Sequence, residues 1–527
     1  MIKSKPFDDA ARVGASICRR PIRSHSAAIL ALFLSICALV VATPPWRGSA
    51  QPRPQQPATA TAAARNATLI AATNEVLKET SELRQLSIIK PVPSSTQSRD
   101  EIQRAIIKNL DQETSPADLH ASEVILKKLG LAPAAFNYRD LMVRLLTEQV
   151  AGYYEPKTQQ FHLADWIDVD GQRPVMAHEL THALQDQHFN LRRFEKWPKG
   201  DSDAELAAHS LIEGDATLAM VLYIASNPLR AMTFLKSIGA MAGASEELNQ
   251  APRAVRESLL FPYQEGLNWT RELYRLGGWN EVSEAFQALP QSTEQILHPA
   301  KYFAREAPVK VVLPDIAPLL NAAEKRSEVR GQSSEIRNQQ SEDRGQGPVK
   351  AGPDSTAVNA TGRKLPPTPD SRNSWKRISS DVNGEFGFYL ILDQFLKSPA
   401  ESRRAAAGWG GDRFDLYENA QGQACYVSVS AWDTENDARE FFDAYVKRVQ
   451  LQHPNAERTN AATVVTFATD DGEVLVAVKG LRVFTIEAPA SSRAQALLCA
   501  LDSSAPNCRP PAAILSSHQV LDRKVAV

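Results

Sequence analysis

The sequence AHELTHALQDQHF, residues 177–189, contains two histidines, His178 and His182, four residues apart. On a helix this spacing projects both imidazoles from one face, about one turn apart, as two ligands of one tetrahedral zinc ion require. Glu179 stands beside the first histidine, where its carboxylate can take a proton from a metal-activated water. Apolar neighbours give the segment a buried face. The pattern predicts one Zn²⁺ ion on a buried helix at 174–188, with Glu179 as catalytic base.

The third metal ligand has two candidates. His188 follows His182 by six residues, the spacing of peptidases in which a glycine turns the chain so that a third histidine swings back. Gln185 occupies that glycine position, so a continuing helix would carry His188 about 9 Å along its axis from His182. Glu213 lies in LIEGDAT at 211–217, on the next predicted helix, where a buried carboxylate needs a positive partner. We favour Glu213, because two histidines and a glutamate are a known catalytic zinc ligand set.

Two other side chains near these ligands have open roles. His209 lies one turn before Glu213, and it either supports the site or, as we favour, is an ordinary satisfied polar residue. Asp186 lies one turn after His182, where it either orients that imidazole or is exposed on the helix surface. The sequence assigns neither residue to the metal site.

Length and charge restrict the classes of function. A chain of 527 residues exceeds what one hydrophobic core usually organises, which predicts two or three domains with connecting segments. The formal net charge is −2, and no long basic stripe with interleaved aromatic residues occurs. A nucleic-acid partner is therefore not expected.

The N-terminal segment predicts export. Three arginines at 19–23 precede sixteen largely apolar residues at 27–42, and small residues suited to cleavage occur at Ala42 and Ala50. Sixteen residues are fewer than the roughly 20 that cross a bilayer as a helix. We therefore favour a signal peptide at 1–50 and a periplasmic or extracellular protein over anchoring in the inner membrane by residues 27–42.

Composition and periodicity divide the rest of the chain. A tether rich in Pro, Gln, Ala and Thr is expected at 51–65, and a disordered linker is expected at 321–375, where seven-residue repeats lack the apolar positions of a coiled coil. A mostly helical domain is expected at 66–320 and a smaller α+β domain at 376–502, followed by a tail at 503–527. The fold class expected for the whole chain is therefore α+β.

The individual elements follow from periodicity. Helices are expected near 101–129, 138–151, 174–188, 203–225, 262–276 and 280–288, with one strand near 160–164. The C-terminal domain is expected to have strands near 413–418, 424–431, 463–468, 473–479 and 482–487, and a helix at 435–449. Thr434 and Asp437 predict a capping box at the start of that helix.

The cysteines cannot form a disulfide framework for a protein of this size. Cys425, Cys499 and Cys508 remain after removal of residues 1–50. One bridge between Cys499 and Cys508 and separate buried thiols are equally expected.

The two motifs at 177–189 and 211–217 together resemble the gluzincins, specifically a group of exported bacterial metallopeptidases of undefined substrate. Five further stretches fit that group, namely AGYYEPKT at 151–158, FPYQEG at 261–266, STEQILHP at 292–299, GWGGDRF at 408–414 and WDTENDAREFF at 432–442. The resemblance implies a zincin-like (gluzincin) catalytic domain in which the two motif histidines and Glu213 hold zinc and Glu179 is the base.

The chain departs from thermolysin-like gluzincins at one position. Those enzymes carry an aspartate four residues after the ligand glutamate, where it holds the first histidine, and this chain has Thr217 there. Asp215 is the candidate to replace that aspartate.

A peptidase also needs a donor aimed at the oxyanion that develops during attack on the carbonyl. The candidates are His298, Tyr263, Tyr153 and Tyr154. Glu294 lies one turn before His298 and is expected to fix its tautomer. The alternative is that His298 only ends a short helix before Pro299.

The sequence thus predicts an exported zinc metallopeptidase that hydrolyses peptide or protein substrates. Two other functions fit the same residues: a zinc-stabilised binding protein without catalysis, and a zinc amidase acting on cell-wall peptides. The C-terminal domain has no evident chemistry, since its glycine run at 408–411 is not followed by the Lys and Ser/Thr of a phosphate loop. We expect that run to be a turn closing onto the first domain, and we favour a structural role over lining a substrate groove.

Overall fold

The computed structural model describes residues 62–323 and 374–508, apart from gaps at 150–151, 167–168, 170, 198, 233–245, 491 and 493. The expected signal peptide or anchor at 1–50 lies outside the described residues, as do most of the expected tether at 51–65, linker at 321–375 and tail at 503–527. Within the described ranges, no helix is both long and apolar enough to span a membrane. The fold is mixed α+β, as predicted.

The first part of the described chain is mostly helical. Its helices are α1 (Ala62–Arg84), α2 (Arg99–Glu113), α3 (Pro116–Lys128), α4 (Tyr138–Gln149), α5 (Arg173–Phe189), α6 (Ser202–Ala225), α7 (Glu246–Gln250), α8 (Arg253–Ala285), α9 (Thr293–Leu297) and α10 (Pro299–Phe303), with a 3-10 turn at Leu191–Lys196. Each predicted helix is found, but with different boundaries. The helix expected at 101–129 is two helices, because Ser115 caps α3 and Pro116 opens it. Those expected at 262–276 and 280–288 belong to α8, which is kinked at Gly278.

A three-stranded sheet lies against the motif helix α5. Its order is β1-β3-β2, with β1 (Ser94–Gln97) parallel and β2 (Gly152–Glu155) antiparallel to β3 (Gln160–Ala164). The strand β3 has the predicted bounds. Tyr154 of β2 belongs to the same hydrophobic cluster as Leu180 of α5. The sheet therefore brings the backbone of β2 next to the zinc motif.

The C-terminal domain is a seven-stranded antiparallel sheet with helices. Its strands are β4 (Lys376–Asp381), β5 (Trp409–Glu418), β6 (Ala424–Trp432), β7 (Glu457–Asn460), β8 (Val464–Thr469), β9 (Gly472–Lys479) and β10 (Arg482–Pro489), in the order β4-β5-β6-β10-β9-β8-β7. Its helices are α11 (Gly384–Leu396), α12 (Pro399–Ala406), α13 (Glu435–Gln452) and α14 (Ala494–Leu501). The five predicted strands, the helix α13 and its capping box are confirmed. The sequence did not predict β4, β7, α11, α12 or α14.

The cysteines adopt one of the two expected arrangements. Cys499 of α14 is bonded to Cys508, and Cys425 is a free, buried thiol. The bridge ties the end of α14 to the segment that follows it.

The two parts of the chain share one hydrophobic core. A single cluster of buried side chains includes Phe261 and Trp269 of α8, Phe386 of α11 and Phe441 of α13. The ring centroids of Phe261 and Phe386 lie 4.1 Å apart. Burial of this apolar surface fixes the C-terminal domain against the helical part.

The glycine run at 408–411 closes onto the first part of the chain, as predicted, although it also begins β5. The backbone N–H of Val309 donates to the carbonyl of Gly410 over 2.6 Å. A Cβ at Gly411 would lie 2.2 Å from the carbonyl oxygen of Val309, so only glycine allows this approach.

A close crossing of α6 and α8 positions the predicted ligand Glu213. A Cβ at Gly214 of α6 would lie 2.2 Å from the carbonyl oxygen of Gly266 in α8. A Cβ at Gly266 would lie 2.3 Å from the carbonyl oxygen of Ser210. The two backbones touch because both positions lack a side chain. This contact fixes α6 along its axis and so fixes the position of Glu213 relative to α5.

Candidate metal centre

The two motif histidines meet Glu213 in the interior of the protein. His178 and His182 project from α5 and are fully buried, and their Nε2 atoms lie 3.0 Å apart. The Oε2 atom of Glu213, on α6, lies 3.2 Å from Nε2 of His178 and 3.6 Å from Nε2 of His182. These side chains form a buried group that can hold a metal ion. We call it the metal group.

The distances within the metal group fit a tetrahedral ion. Ligand atoms bonded to zinc at about 2.0–2.1 Å are roughly 3.3 Å apart in a tetrahedron, and the three measured separations fall on either side of that value. The Oε1 atom of Glu213 is buried and has no hydrogen-bond partner among the described residues. A buried carboxylate in this state is unfavourable without a cation, so the residues fit a metal site.

The protonation states of the metal group also fit. Burial raises the pKa of Glu213, but His182 and His178 beside it hold that pKa down at about 2. Burial lowers the pKa of His178, against the effect of Glu213 and of a hydrogen bond with the backbone of Ala216. Glu213 is therefore ionised and His178 neutral near neutral pH, which are the forms that coordinate metals.

A buried chain of hydrogen bonds orients His182. Its Nδ1 atom lies 2.8 Å from Oε1 of Gln185, so with Nε2 turned to the metal group, Nδ1–H donates to that oxygen. The side-chain amide of Gln185 donates to Asp215 over 2.9 Å. Asp215 also accepts from the fully buried guanidinium of Arg84, in α1, over 2.5 Å. The ligand is thereby tied to α1.

This chain of contacts corrects the expectation for Asp215. The sequence makes Asp215 the candidate to replace the aspartate that holds the first histidine in thermolysin-like enzymes. It instead holds Gln185, which contacts the second histidine, His182. Gln185 could have been found from its position three residues after His182. No local signal marks Arg84, which lies 131 residues from Asp215 in the sequence.

The predicted base Glu179 is buried beside the metal group. Its Oε2 atom accepts a hydrogen bond from the backbone N–H of Tyr154 in β2 over 3.0 Å. Its Oε1 atom has no hydrogen-bond partner in the described part of the chain. Burial and the charge of Glu213 raise the pKa of Glu179 well above its usual value. A cation in the metal group would favour the ionised form, since a nearby opposite charge lowers the pKa of a carboxyl group.

The alternative ligand His188 points away from the metal group. Its Nε2 atom lies 2.8 Å from the carbonyl oxygen of Ser87, in an exposed contact. The helix α5 continues to Phe189, so the chain does not turn back as a third histidine would require. The structure brings Glu213, and not His188, to the two histidines.

Asp186 takes neither of its expected roles. It is buried, and it accepts a hydrogen bond from the hydroxyl of Tyr154 over 2.9 Å and from the backbone N–H of Leu191 over 3.0 Å. Asp186 therefore fixes the end of α5 to the sheet and to the following turn.

The structure separates the four candidate oxyanion donors. Tyr263 is beside the metal group, with its ring centroid 6.2 Å from that of His178. The hydroxyls of Tyr153 and Tyr154 donate elsewhere, to Gln97 and Asp186 respectively. Tyr263 is therefore the best placed of the four.

The fourth candidate, His298, contacts the C-terminal domain. Its Nε2 atom lies 2.9 Å from Oε1 of Glu385 in α11, and its side chain is 42% exposed. The expectation that Glu294 fixes the tautomer of His298 is wrong, because the carboxylate of Glu294 binds the ammonium of Lys301 over 2.7 Å. That ammonium also binds Glu306 and Asp433. The cluster of Glu294, Glu306 and Asp433 is therefore already paired with the side chain of Lys301.

A cavity of about 630 Å³ extends from Glu213. It is lined by residues of α3, α6 and α8, and by the C-terminal segment from Ile378 to Ile391. His209 lines the cavity and is 8% exposed, yet it hydrogen-bonds to no other described residue. The ring nitrogens of His209 are not among the buried side-chain atoms that lack a partner, so the expectation that it is a satisfied polar residue stays a prediction. Residues of the C-terminal domain line the cavity, but the glycine run at 408–411 is not among them.

The comparisons with known proteins concern only the C-terminal domain. Residues 373–498 match a family model described as a domain of unknown function, DUF8575. The chain matches no curated protein and no solved structure. The matched region contains neither the motif helix nor Glu213, so the comparisons assign no chemistry to the metal group.

Substitutions of Glu213 and His188 test the choice of third ligand. Glu213→Ala should reduce the zinc content from about one ion per chain to near zero, because two histidines alone leave the tetrahedral site incomplete. His188→Ala should keep its zinc, because that ring contacts Ser87. Mass spectrometry of the metal in the purified proteins measures both. Loss of zinc from His188→Ala alone would contradict the assignment.

Proposed function

We propose that this protein is an exported zinc metallopeptidase with a zincin-like catalytic domain of the gluzincin type. The observation that carries the proposal is the convergence of His178, His182 and Glu213 at tetrahedral distances, with Glu179 on the same helix. Structural zinc sites usually have four protein ligands, whereas catalytic sites have three and leave a position for water or substrate. The metal group has three members among the described residues, which favours catalysis.

The chemistry follows from where the side chains lie. Bound zinc would polarise the scissile carbonyl and activate a water molecule. Glu179 accepts the proton of that water at Oε1 and passes it to the leaving amine. This oxygen has no hydrogen-bond partner among the described residues. The hydrogen bond from Tyr154 N–H holds the other oxygen and so orients the carboxylate. Tyr263, next to His178, is the candidate donor to the oxyanion.

Two features support export. The arginines at 19–23 followed by an apolar segment at 27–42 have the order of a secretory signal. The disulfide between Cys499 and Cys508 is typical of proteins that fold in an oxidising compartment. We therefore place the peptidase in the periplasm or outside the cell.

Digestion of casein and of purified cell wall by the zinc-loaded protein tests this function. We expect casein to be cleaved, cleavage to stop when a chelator removes the zinc, and activity to return when zinc is restored. Cleavage of cell wall alone would replace the proposal with a cell-wall amidase. Zinc binding without cleavage of either substrate would replace it with a zinc-stabilised binding protein.

A further inference from the structure

Three polar side chains form a stripe along the cavity. Glu205, His209 and Glu213 lie four residues apart on α6, so they share one face of the helix at one-turn intervals, and all three line the cavity. Glu213 marks the metal end. Glu205 is eight residues earlier, about 12 Å away along the helix axis. The stripe therefore runs the distance that a short extended peptide would cover.

The far end of the stripe is formed by the carboxyl group of Glu205, which suits a positively charged ligand. The Oε1 atom of Glu205 is buried and has no hydrogen-bond partner in the described ranges. Burial, together with the neighbouring carboxylates of Asp381 and Asp201, raises the pKa of Glu205 to about 8. Glu205 is therefore mostly protonated near neutral pH, and a bound cation would lower this pKa and favour the carboxylate. Lys199 also lines the cavity, but its ammonium lies 3.8 Å from Asp118. Buried acidic oxygens are normally paired, so this end is suited to a positively charged ligand.

The middle of the stripe offers a neutral hydrogen-bonding group. His209 is 8% exposed, and burial lowers its pKa to about 4. A neutral imidazole has one donor and one acceptor nitrogen. Since His209 bonds to no other described residue, both functions are available to a molecule in the cavity.

The walls of the cavity are mostly apolar and come from both parts of the chain. They include Leu206 of α6, Leu259 of α8, and Phe386 and Leu390 of α11. Apolar walls with a few convergent polar groups are typical of ligand sites. An extended peptide would bury apolar side chains against these walls while its polar groups face the stripe.

We propose that this cavity is the substrate cleft of the metal centre and that it selects peptides carrying a lysine or arginine side chain, which pairs with Glu205. The inference rests on the proposed peptidase function. An extended chain covers at most about 3.3–3.6 Å per residue, so the basic residue lies within about four positions of the scissile bond. His209 hydrogen-bonds the peptide between the two ends. A charge-assisted pair with a buried carboxylate is among the stronger polar contacts in proteins.

Matched peptides test this selectivity. The zinc-loaded full chain is given peptides of one sequence that carry lysine, norleucine or glutamate at each of the four positions on either side of the cleaved bond. At one position, kcat/KM should be roughly tenfold higher or more with lysine than with norleucine. Glu205→Gln should remove this preference by lowering the lysine value toward the norleucine value of the same variant. His209→Ala should lower both values by the same factor.

A surface variant serves as control. Glu272→Gln neutralises an exposed carboxylate on α8 that pairs with Arg275, and it should leave the lysine preference intact. Equal cleavage of the lysine and norleucine peptides by the wild type, or an unchanged preference in Glu205→Gln, would overturn the cleft assignment while leaving the peptidase function standing.

A binding measurement separates the two proposals if no peptide is cleaved. Fluorescence anisotropy of labelled lysine and norleucine peptides, with zinc-loaded wild type and Glu205→Gln, then decides. Lysine-selective binding that depends on Glu205 would keep the cleft and dismiss the peptidase function. Binding without selectivity would dismiss the cleft as well.

Discussion

Replacing Glu179 with Gln should leave the zinc content unchanged and lower kcat on a peptide substrate by roughly 10²–10⁴-fold, the usual contribution of a general base. The side-chain amide has the size of the carboxylate, and its oxygen can still accept the hydrogen bond from Tyr154 N–H that holds Oε2 in the wild type. The amide cannot take up a proton at the Oε1 position. The substitution therefore removes the proton transfer but keeps the hydrogen bond that positions the side chain.

The experiment measures zinc by mass spectrometry and initial rates with one fluorogenic peptide for the wild type, Glu179→Gln and the surface variant Glu272→Gln. The surface variant should match the wild type in both readings. Full hydrolysis by Glu179→Gln with bound zinc would eliminate Glu179 as the base. Loss of zinc from Glu179→Gln would instead show that this carboxylate supports the metal group.

The motif helix and its metal ligands could be predicted because their signals are local or nearly so. The spacing of His178 and His182 fixes their common face on any helix. Glu213 was recognisable as a carboxylate within an apolar stretch of the next helix, since such a residue needs a counter-charge. The first signal depends only on the helical period, and the second depends only on the energetic cost of burying a charge.

The contacts that support the site could not be predicted, because they join distant parts of the chain. Arg84 reaches Asp215 across 131 positions, and His298 reaches Glu385 across 87. Nothing in the sequence around Arg84 distinguishes a buried arginine from the exposed ones on other helices. The cavity is also a product of tertiary packing, since its walls at Leu259 and Phe386 come from helices in different parts of the chain.

The errors at element boundaries have local causes that outweigh periodicity. Ser115 and Pro116 interrupt an apolar pattern that continues through α2 and α3. The division predicted between 276 and 280, in contrast, corresponds to a real kink, since Gly278 adopts a φ of +65° inside α8. The helix α11 has no amphipathic signal in the sequence because it is apolar on most sides, as expected of a helix buried between two layers.

Gly214→Ala should be a strongly damaging single-methyl change, and it should affect both folding and the metal. Its Cβ would lie 2.2 Å from the carbonyl oxygen of Gly266 and 2.6 Å from Oγ1 of Thr270, so α6 and α8 would have to separate. Overpacking of this kind costs about 1–3 kcal/mol or more. Because Glu213 precedes Gly214, the shift would also move a metal ligand away from α5. We expect the Tm to fall by roughly 1–4 °C, because 1 kcal/mol corresponds to only about 1 °C in a protein of this length, and we expect the affinity for zinc to weaken.

Gly387→Ala is the matched control, because Gly387 is also a helical glycine, in α11, but a Cβ there meets no atom closer than 3.5 Å. Alanine is favoured over glycine in a helix by roughly 0.5–1 kcal/mol, so this variant should be as stable as the wild type or slightly more stable. Thermal unfolding and zinc titration of both variants measure the difference. Equal Tm values for the two would mean that the α6–α8 crossing can open without loss, and that the glycine pair does not set the position of Glu213.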